Sequence, residues 1–177
     1  MKRILTAQQL QRALNRLYKA IADELPKRGR VAIIGIRTRG ETIAHRVVER
    51  LRADGGARKI YHGVLDITFY RDDLSRRRGA PLVRATEIDF DLDDTYVVLV
   101  DDVLHTGRSV RAALDALHDF GRPKVVRLAV LIDRGGRELP IAGDLIGRRV
   151  SAPNHKRVQV RLKENDGEEG VFIIDRF

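Results

Sequence analysis

The strongest chemical signal in the chain is a pair of carboxylates closing an apolar run. Val97-Val98-Leu99-Val100 leads into Asp101 and Asp102, then into Val103-Leu104-His105-Thr106-Gly107-Arg108-Ser109, a turn rich in hydroxyl donors that opens a helix. Amides at a helix N-terminus, with the Thr106 and Ser109 hydroxyls and the unhindered backbone of Gly107, make a phosphate cradle. Carboxylates beside a phosphate would repel it, so Asp101 and Asp102 need another task. They can accept hydrogen bonds from sugar hydroxyls or help to hold a divalent cation. Sugar and phosphate together suggest a ribose 5-phosphate. The bland alternative is that both acids are helix-start residues favoured by the helix dipole, yet two acids ending an apolar strand are costly to hold there without a use.

A second cluster, Gly35-Ile36-Arg37-Thr38-Arg39-Gly40, also follows a buried run and precedes a helix. Two guanidiniums around a hydroxyl, flanked by glycines, suit a pyrophosphate; taken alone, the cluster reads equally as a solvated basic turn. The chain contains no GxxxxGK[ST] and no GxGxxG after a strand, which argues against a P-loop nucleotidase and a dinucleotide enzyme.

Both clusters depend on alternating strands and helices. Thr6 and Gln9 have the spacing of a capping box, and Leu10, Ala13, Leu14, Leu17, Ile21 and Leu25 recur at helical spacing before Pro26 and Gly29. Val31 to Ile36 is short, apolar and β-branched, as in a strand covered on both faces. A second helix is expected over roughly 41–52, with Ile43, Ala44, Val47, Val48 and Leu51 on one face and the Ala53-Asp54-Gly55-Gly56 turn after it. A strand is expected over 62–70, followed by a charged, mobile stretch over 71–79. The 97–100 strand precedes a helix with Val110, Ala113, Leu114, Leu117 and Phe120 on one face, and 125–132 supplies another buried strand. Segments 158–163 and 171–175, around Asn165-Asp166-Gly167, suggest a hairpin. The pattern predicts an α/β fold, a parallel sheet with helices on both faces, in which ligands bind beyond the carboxyl ends of the strands.

Length and charge set the frame. A chain of 177 residues suits one domain over 1–177 with a real core. The absence of cysteine excludes disulfides and thiolate metal sites, which fits an intracellular protein. The amphipathic opening segment keeps its charges, unlike a signal peptide or membrane span, so a cytoplasmic protein with no membrane partner is expected. A formal net charge of +9, from 27 Arg and 7 Lys against 25 acids, raises the odds of a polyanionic partner such as RNA. An arginine-rich skew also arises without any ligand.

These segments, with Asp66-Ile67-Thr68-Phe69-Tyr70-Arg71-Asp72-Asp73-Leu74-Ser75 and Leu131-Ile132-Asp133-Arg134-Gly135-Gly136-Arg137-Glu138-Leu139-Pro140, resemble the type I phosphoribosyltransferases. They are more closely similar to the PyrR family, bifunctional pyrimidine operon regulators and uracil phosphoribosyltransferases. The likeness runs from the first helix to about residue 150. It implies a type I phosphoribosyltransferase fold with a small hood, the 5-phosphate on residues 103–109, ribose hydroxyls on Asp101 and Asp102, and pyrophosphate on Arg37, Thr38, Arg39 and Gly40, often through a non-proline cis peptide. It further implies Mg²⁺ arriving with phosphoribosyl pyrophosphate, a flexible loop over 70–79 that closes over the substrate and excludes water, Arg71 as a catalytic residue beside Asp101 and Asp102, and a base-binding hood over 132–149 with Ile132, Asp133, Arg134 and Arg137.

The resemblance also implies a second activity, binding the leader of pyrimidine biosynthetic mRNA when a uridine nucleotide (UMP or UTP) is bound, and a homodimer or higher homo-oligomer. Arg12, Arg16 and Lys19 on the outer face of the first helix, with Arg148 and Arg149, are the expected RNA contacts; a solvated helix face is the bland reading. Two rivals stand beside this one: a purine salvage phosphoribosyltransferase with no RNA role, and a non-catalytic nucleotide-sensing regulator.

Overall fold

The computed structural model describes residues 1–55, 59–71 and 85–175. Residues 72–79 of the expected 71–79 stretch, and Gly56 of the turn after the second helix, lie outside the described residues.

The central layer is a five-stranded parallel sheet in the order β3-β2-β4-β5-β6, formed by β2 (Val31–Ile36), β3 (Ile60–Leu65), β4 (Tyr96–Leu104), β5 (Val125–Asp133) and β6 (Leu145–Arg149). The apolar runs are covered on both faces. Along β2 and β4, Val31, Ile33, Val98 and Val100 pack with helices α1 (Ala7–Glu24) and α2 (Arg39–Ala53), whereas Ala32, Ile34, Ile36, Val97 and Leu99 pack with α3 (Arg108–Leu117). The period of two thus divides one strand between two cores, as buried parallel strands require. The capping box forms as expected: Gln9 N–H donates to Thr6 Oγ1 at 3.3 Å, and Thr6 N–H donates to Gln9 Oε1 at 2.9 Å.

A second, antiparallel sheet has the order β1-β8-β7, built from β1 (Lys2–Leu5), β7 (Lys156–Arg161) and β8 (Gly170–Asp175). The expected hairpin is present, and the short helix α4 (Lys163–Asp166) caps its tip. Strand β1 has no counterpart in the sequence reading; four residues ending in Leu5 pair with β8 only because the chain's two ends meet.

Several boundaries differ from expectation. Strand β3 spans 60–65, not 62–70, because Asp66 Oδ1 accepts the Thr68 N–H at 2.8 Å and the Thr68 hydroxyl at 2.5 Å. This Asx-type turn starts a 3₁₀ turn over Thr68–Tyr70 and leaves Phe69 66% exposed. Strand β4 continues through Leu104, so Asp101 and Asp102 lie within it and not after it. On α3, Ala112 and Ala116 take the buried flank and Leu114 is 40% exposed. Residues 145–149, assigned to the hood by resemblance, form the edge strand β6 of the main sheet. There a Cβ on Gly147 would stand 2.6 Å from Leu131 O and 2.9 Å from Ala13 O, so the glycine lets α1 lie directly on the strand. Among the described residues no helix is long and apolar enough to cross a membrane.

Candidate active site

At the carboxyl ends of β2, β4 and β5 lies a cleft of about 860 Å³, closed on the far side by β7 and β8. Its volume suits a ligand the size of a nucleotide. Arg37, Thr38, Arg39, Arg71, Asp101, Asp102, Val103, His105, Thr106, Arg108, Ser109 and Arg134 all line it, so two clusters more than sixty residues apart in sequence face one space.

The first cluster turns on Gly107, which caps α3 in the left-handed conformation (φ 92°). Thr106 Oγ1 accepts the Arg108 N–H at 3.3 Å, and Arg108 Nε donates to Glu138 at 2.7 Å. The amides of the first helical turn have no partner within the helix, which makes this end an anion site. Arg71 lies over it, its Nη1 3.4 Å from Ser109 Oγ. Leu104 does not line the cleft; it is buried in the α3-side core.

Asp101 is buried and Asp102 half-buried. Asp101 Oδ1 accepts the Asp102 N–H and Asp102 Oδ1 accepts the Val103 N–H, each at 2.9 Å. Burial, then the neighbouring charge of Asp102, holds the Asp101 carboxyl well above the ordinary carboxylate range. Burial also raises Asp102, offset in part by the Arg39 charge. Two acids this close titrate as a pair, and they are poised to accept hydrogen bonds from hydroxyls.

The second cluster is equally constrained. The Arg37–Thr38 peptide is cis. A Cβ on Gly35 would meet Gly40 O and the Glu41 Cα at 2.5 Å, and one on Gly40 would meet Val100 O at 2.5 Å. Only glycine lets the loop fold onto itself and α2 start against β4. Arg37 donates to Glu87 at 2.6 Å and lies 3.5 Å from Glu41, while Arg39 forms a fork with Asp166. Gly40 shapes the loop without lining the cleft.

The residues assigned to the base-binding hood divide. Arg134 reaches the cleft, with its guanidinium also tied to the carbonyls of Lys156 (2.7 Å) and Pro153 (3.1 Å). Ile132 is in the core, and Asp133 and Arg137 are outside the lining. Arg137 pairs with Asp133 at 2.7 Å and donates to His105 O at 2.9 Å, bracing the phosphate turn from behind. The sequence reading missed Val158, Gln159, Ile174 and Asp175, which the hairpin brings to the cleft. The alternation Val158-Gln159-Val160 marks a strand with one polar face, but nothing local says what that face meets.

The five basic residues assigned to RNA lie on adjoining elements. Arg12, Arg16 and Lys19 are exposed on α1, and Arg16 donates to Gly147 O at 3.1 Å. The other two close strand β6. Arg148 and Arg149 pair in register with Ile132 and Asp133 of β5, and Arg149 is the more exposed of the two.

Two packed cores around a parallel sheet, with an acid-bearing strand end between two anion turns, define a phosphoribosyltransferase-type fold. A family model described as a phosphoribosyl transferase domain matches residues 1–165. Hypoxanthine phosphoribosyltransferases from Staphylococcus aureus (TM-score 0.67, 14% identity, covering 96% of this chain and 91% of that one) and Trypanosoma cruzi (TM-score 0.67, 14% identity, 99% and 97%) share the fold. Proteins named "Bifunctional protein PyrR" are far nearer in sequence: that of Roseiflexus sp. is 51% identical over 98% of this chain and 94% of its own length, and that of Pelotomaculum thermopropionicum 48% over 97% and 94%. The chain belongs to the PyrR family of phosphoribosyltransferases.

Proposed function

We propose that this protein is an RNA-binding regulator of pyrimidine biosynthetic mRNA, acting by uridine-nucleotide-dependent transcription attenuation. In the same reading it catalyses transfer of ribose 5-phosphate from phosphoribosyl pyrophosphate to uracil, giving UMP and pyrophosphate, within one domain. The observation that carries the catalytic reading is the convergence of Asp101 and Asp102 with the Thr106–Ser109 turn and the Arg37–Arg39 loop in a single cleft. The regulatory reading rests on family membership and on the basic face of α1 and β6.

In the mechanism, the α3 amides with Thr106 and Ser109 hold the 5-phosphate, and Asp101 and Asp102 accept from the ribose hydroxyls. The bond from C1′ to pyrophosphate loosens ahead of attack by the uracil nitrogen, which gives its N–H proton to the departing pyrophosphate as the C–N bond forms, so positive charge develops on the sugar. The acid pair favours that charge, chiefly through Asp102, whose carboxyl is raised less than that of Asp101 and is offset by the Arg39 charge, and Arg37 and Arg39 receive the departing anion. Among the described residues no three His, Asp or Glu side chains are grouped to hold a metal. Asp101 and Asp102 offer the oxygen ligands Mg²⁺ takes, and they would help to hold the ion that arrives on the substrate's phosphates, where it would neutralise leaving-group charge. In this reading Arg134, Val158, Gln159 and Ile174, which line the same cleft, meet the base.

Radiolabelled uracil, hypoxanthine and guanine offered side by side test the enzyme: uracil should be consumed and the purines should not. A gel-shift series with a pyrimidine leader RNA, with and without UMP, tests the regulator, with tighter binding expected when UMP is present. Uracil turnover without RNA affinity would reduce the protein to a salvage enzyme.

A further inference from the structure

Three consecutive contacts join the tip of the β7–β8 hairpin to one face of α2. Asp166 Oδ1 accepts from Arg39 Nη2 at 2.5 Å and Oδ2 from Arg39 Nε at 3.1 Å; Asn165 accepts from the Thr42 hydroxyl at 2.8 Å; Arg46 donates to Glu164 at 2.8 and 2.5 Å and to Glu169 at 2.7 Å. Residues 39, 42 and 46 lie three and four apart, on one side of the helix. Only the first contact involves a side chain that also lines the cleft. Asp166 is itself fixed from behind by the Leu162 N–H, 2.9 Å from its Oδ2.

We propose that Asp166 is a positioning residue for Arg39, so that the small sheet sets how the pyrophosphate loop presents its charge. The proposal rests on reading residues 37–40 as the pyrophosphate loop. A carboxylate fork holds a guanidinium in plane and leaves Nη1 and one Nη2 hydrogen for another anion. The Arg39 and Asp166 side chains are 23% and 15% exposed, so the fork is held largely out of water. Burial pushes the Asp166 carboxyl up, but the Arg39 and Leu162 hydrogen bonds outweigh it and hold the group below its ordinary value, hence charged.

The competing acid is Asp102, close enough for its charge to act on Arg39. Without Asp166, Arg39 is drawn onto Asp102, and an anion contact and a sugar contact are lost together. The same hairpin carries Val158, Gln159 and Ile174 into the cleft, so one element touches the base end of the site and aims the anion end.

Charge and orientation predict opposite signs, which makes the idea testable. Removing Asp166 adds one net positive charge near the cleft and on Coulomb grounds should tighten pyrophosphate; losing the fork should weaken it. Asp166→Asn, Asp166→Glu and Glu164→Gln would be compared with wild type for KM of each substrate, calorimetric pyrophosphate affinity and melting temperature. Asp166→Asn should raise the phosphoribosyl pyrophosphate KM and the pyrophosphate Kd about tenfold and leave the uracil KM within about twofold. Asp166→Glu should recover part of the loss, and Glu164→Gln, which breaks a neighbouring contact of the same hairpin, should bind pyrophosphate as wild type does. In an Arg39→Ala background Asp166→Asn should add less than about a twofold change, since it acts through Arg39. Tighter pyrophosphate binding by Asp166→Asn, an equal loss in Glu164→Gln, or an undiminished effect in the Arg39→Ala background would overturn the proposal. A protein that transfers nothing to uracil yet shows Asp166-dependent pyrophosphate binding would sink the substrate reading and leave this one standing.

Discussion

A carboxylate at the buried end of a parallel strand must give up its charge or be compensated. Asp101 has one backbone amide and a like-charged neighbour, so its proton is held well above the ordinary range. The native state therefore binds that proton more tightly than the unfolded chain does. The contribution to stability is complete below about pH 4, the ordinary carboxylate value, and is lost as pH rises through the raised native value. Asp101→Asn keeps the acceptor oxygen and has no charge to bury. Its melting temperature should exceed that of wild type near neutral pH, with the gap closing in acid. Uracil transfer should fall at least about tenfold, or about 1.4 kcal/mol of transition-state stabilisation, in both Asp101→Asn and Asp102→Asn. Melting curves across pH with initial rates decide this; wild-type rates in both variants would remove the pair from the ribose site.

At the scale of elements, the site depends on α2 starting in contact with β4. A Cβ at position 40 would lie 2.5 Å from Val100 O and 3.1 Å from the Asp101 Cα, backbone on both sides, so no side chain can swing away to relieve it. Gly40→Ala should cost about 1–3 kcal/mol as overpacking does, read as about 2–4 °C of melting temperature per kcal/mol in a chain of this size, and should weaken pyrophosphate binding by displacing Arg39. An alanine variant matching wild type in both would mean that the helix start has slack. The phosphate turn and the arginine loop were legible in the sequence because each is local, an apolar strand running straight into a turn and a helix start. Strands β1 and β6 were not, since four residues at one end of the chain and Leu-Ile-Gly-Arg-Arg acquire their roles only from distant partners, Val171 to Ile173 and Ala129 to Asp133. Gln159 and Ile174 escaped for the same reason: alternation announces a strand, and only the meeting of two sheets decides which face closes a cleft.

Across the whole molecule, the net charge of +9 is spread over elements with different duties. Arg37, Arg39 and Arg46 are held in ion pairs around the cleft, so total charge overstates what is available to a polyanion. The basic face to test is that of α1 with Arg148 and Arg149 at the end of the adjoining strand β6. Arg16 also secures Gly147 O, so the alanine set leaves it out and takes Lys19, Arg148 and Arg149. If these three meet RNA phosphates, their combined loss should flatten the logarithmic salt dependence of leader binding by about 0.7–0.9 for each lost contact. Uracil transfer should survive in every variant, because none of these side chains lines the cleft. The uridine-nucleotide requirement adds a thermodynamic check: if UMP tightens RNA, RNA must tighten UMP by the same factor. Titrations of leader RNA across salt concentrations, with and without UMP, followed by UMP titrations with and without RNA, measure both. An unchanged slope in the triple variant would make the α1 face a solvated surface.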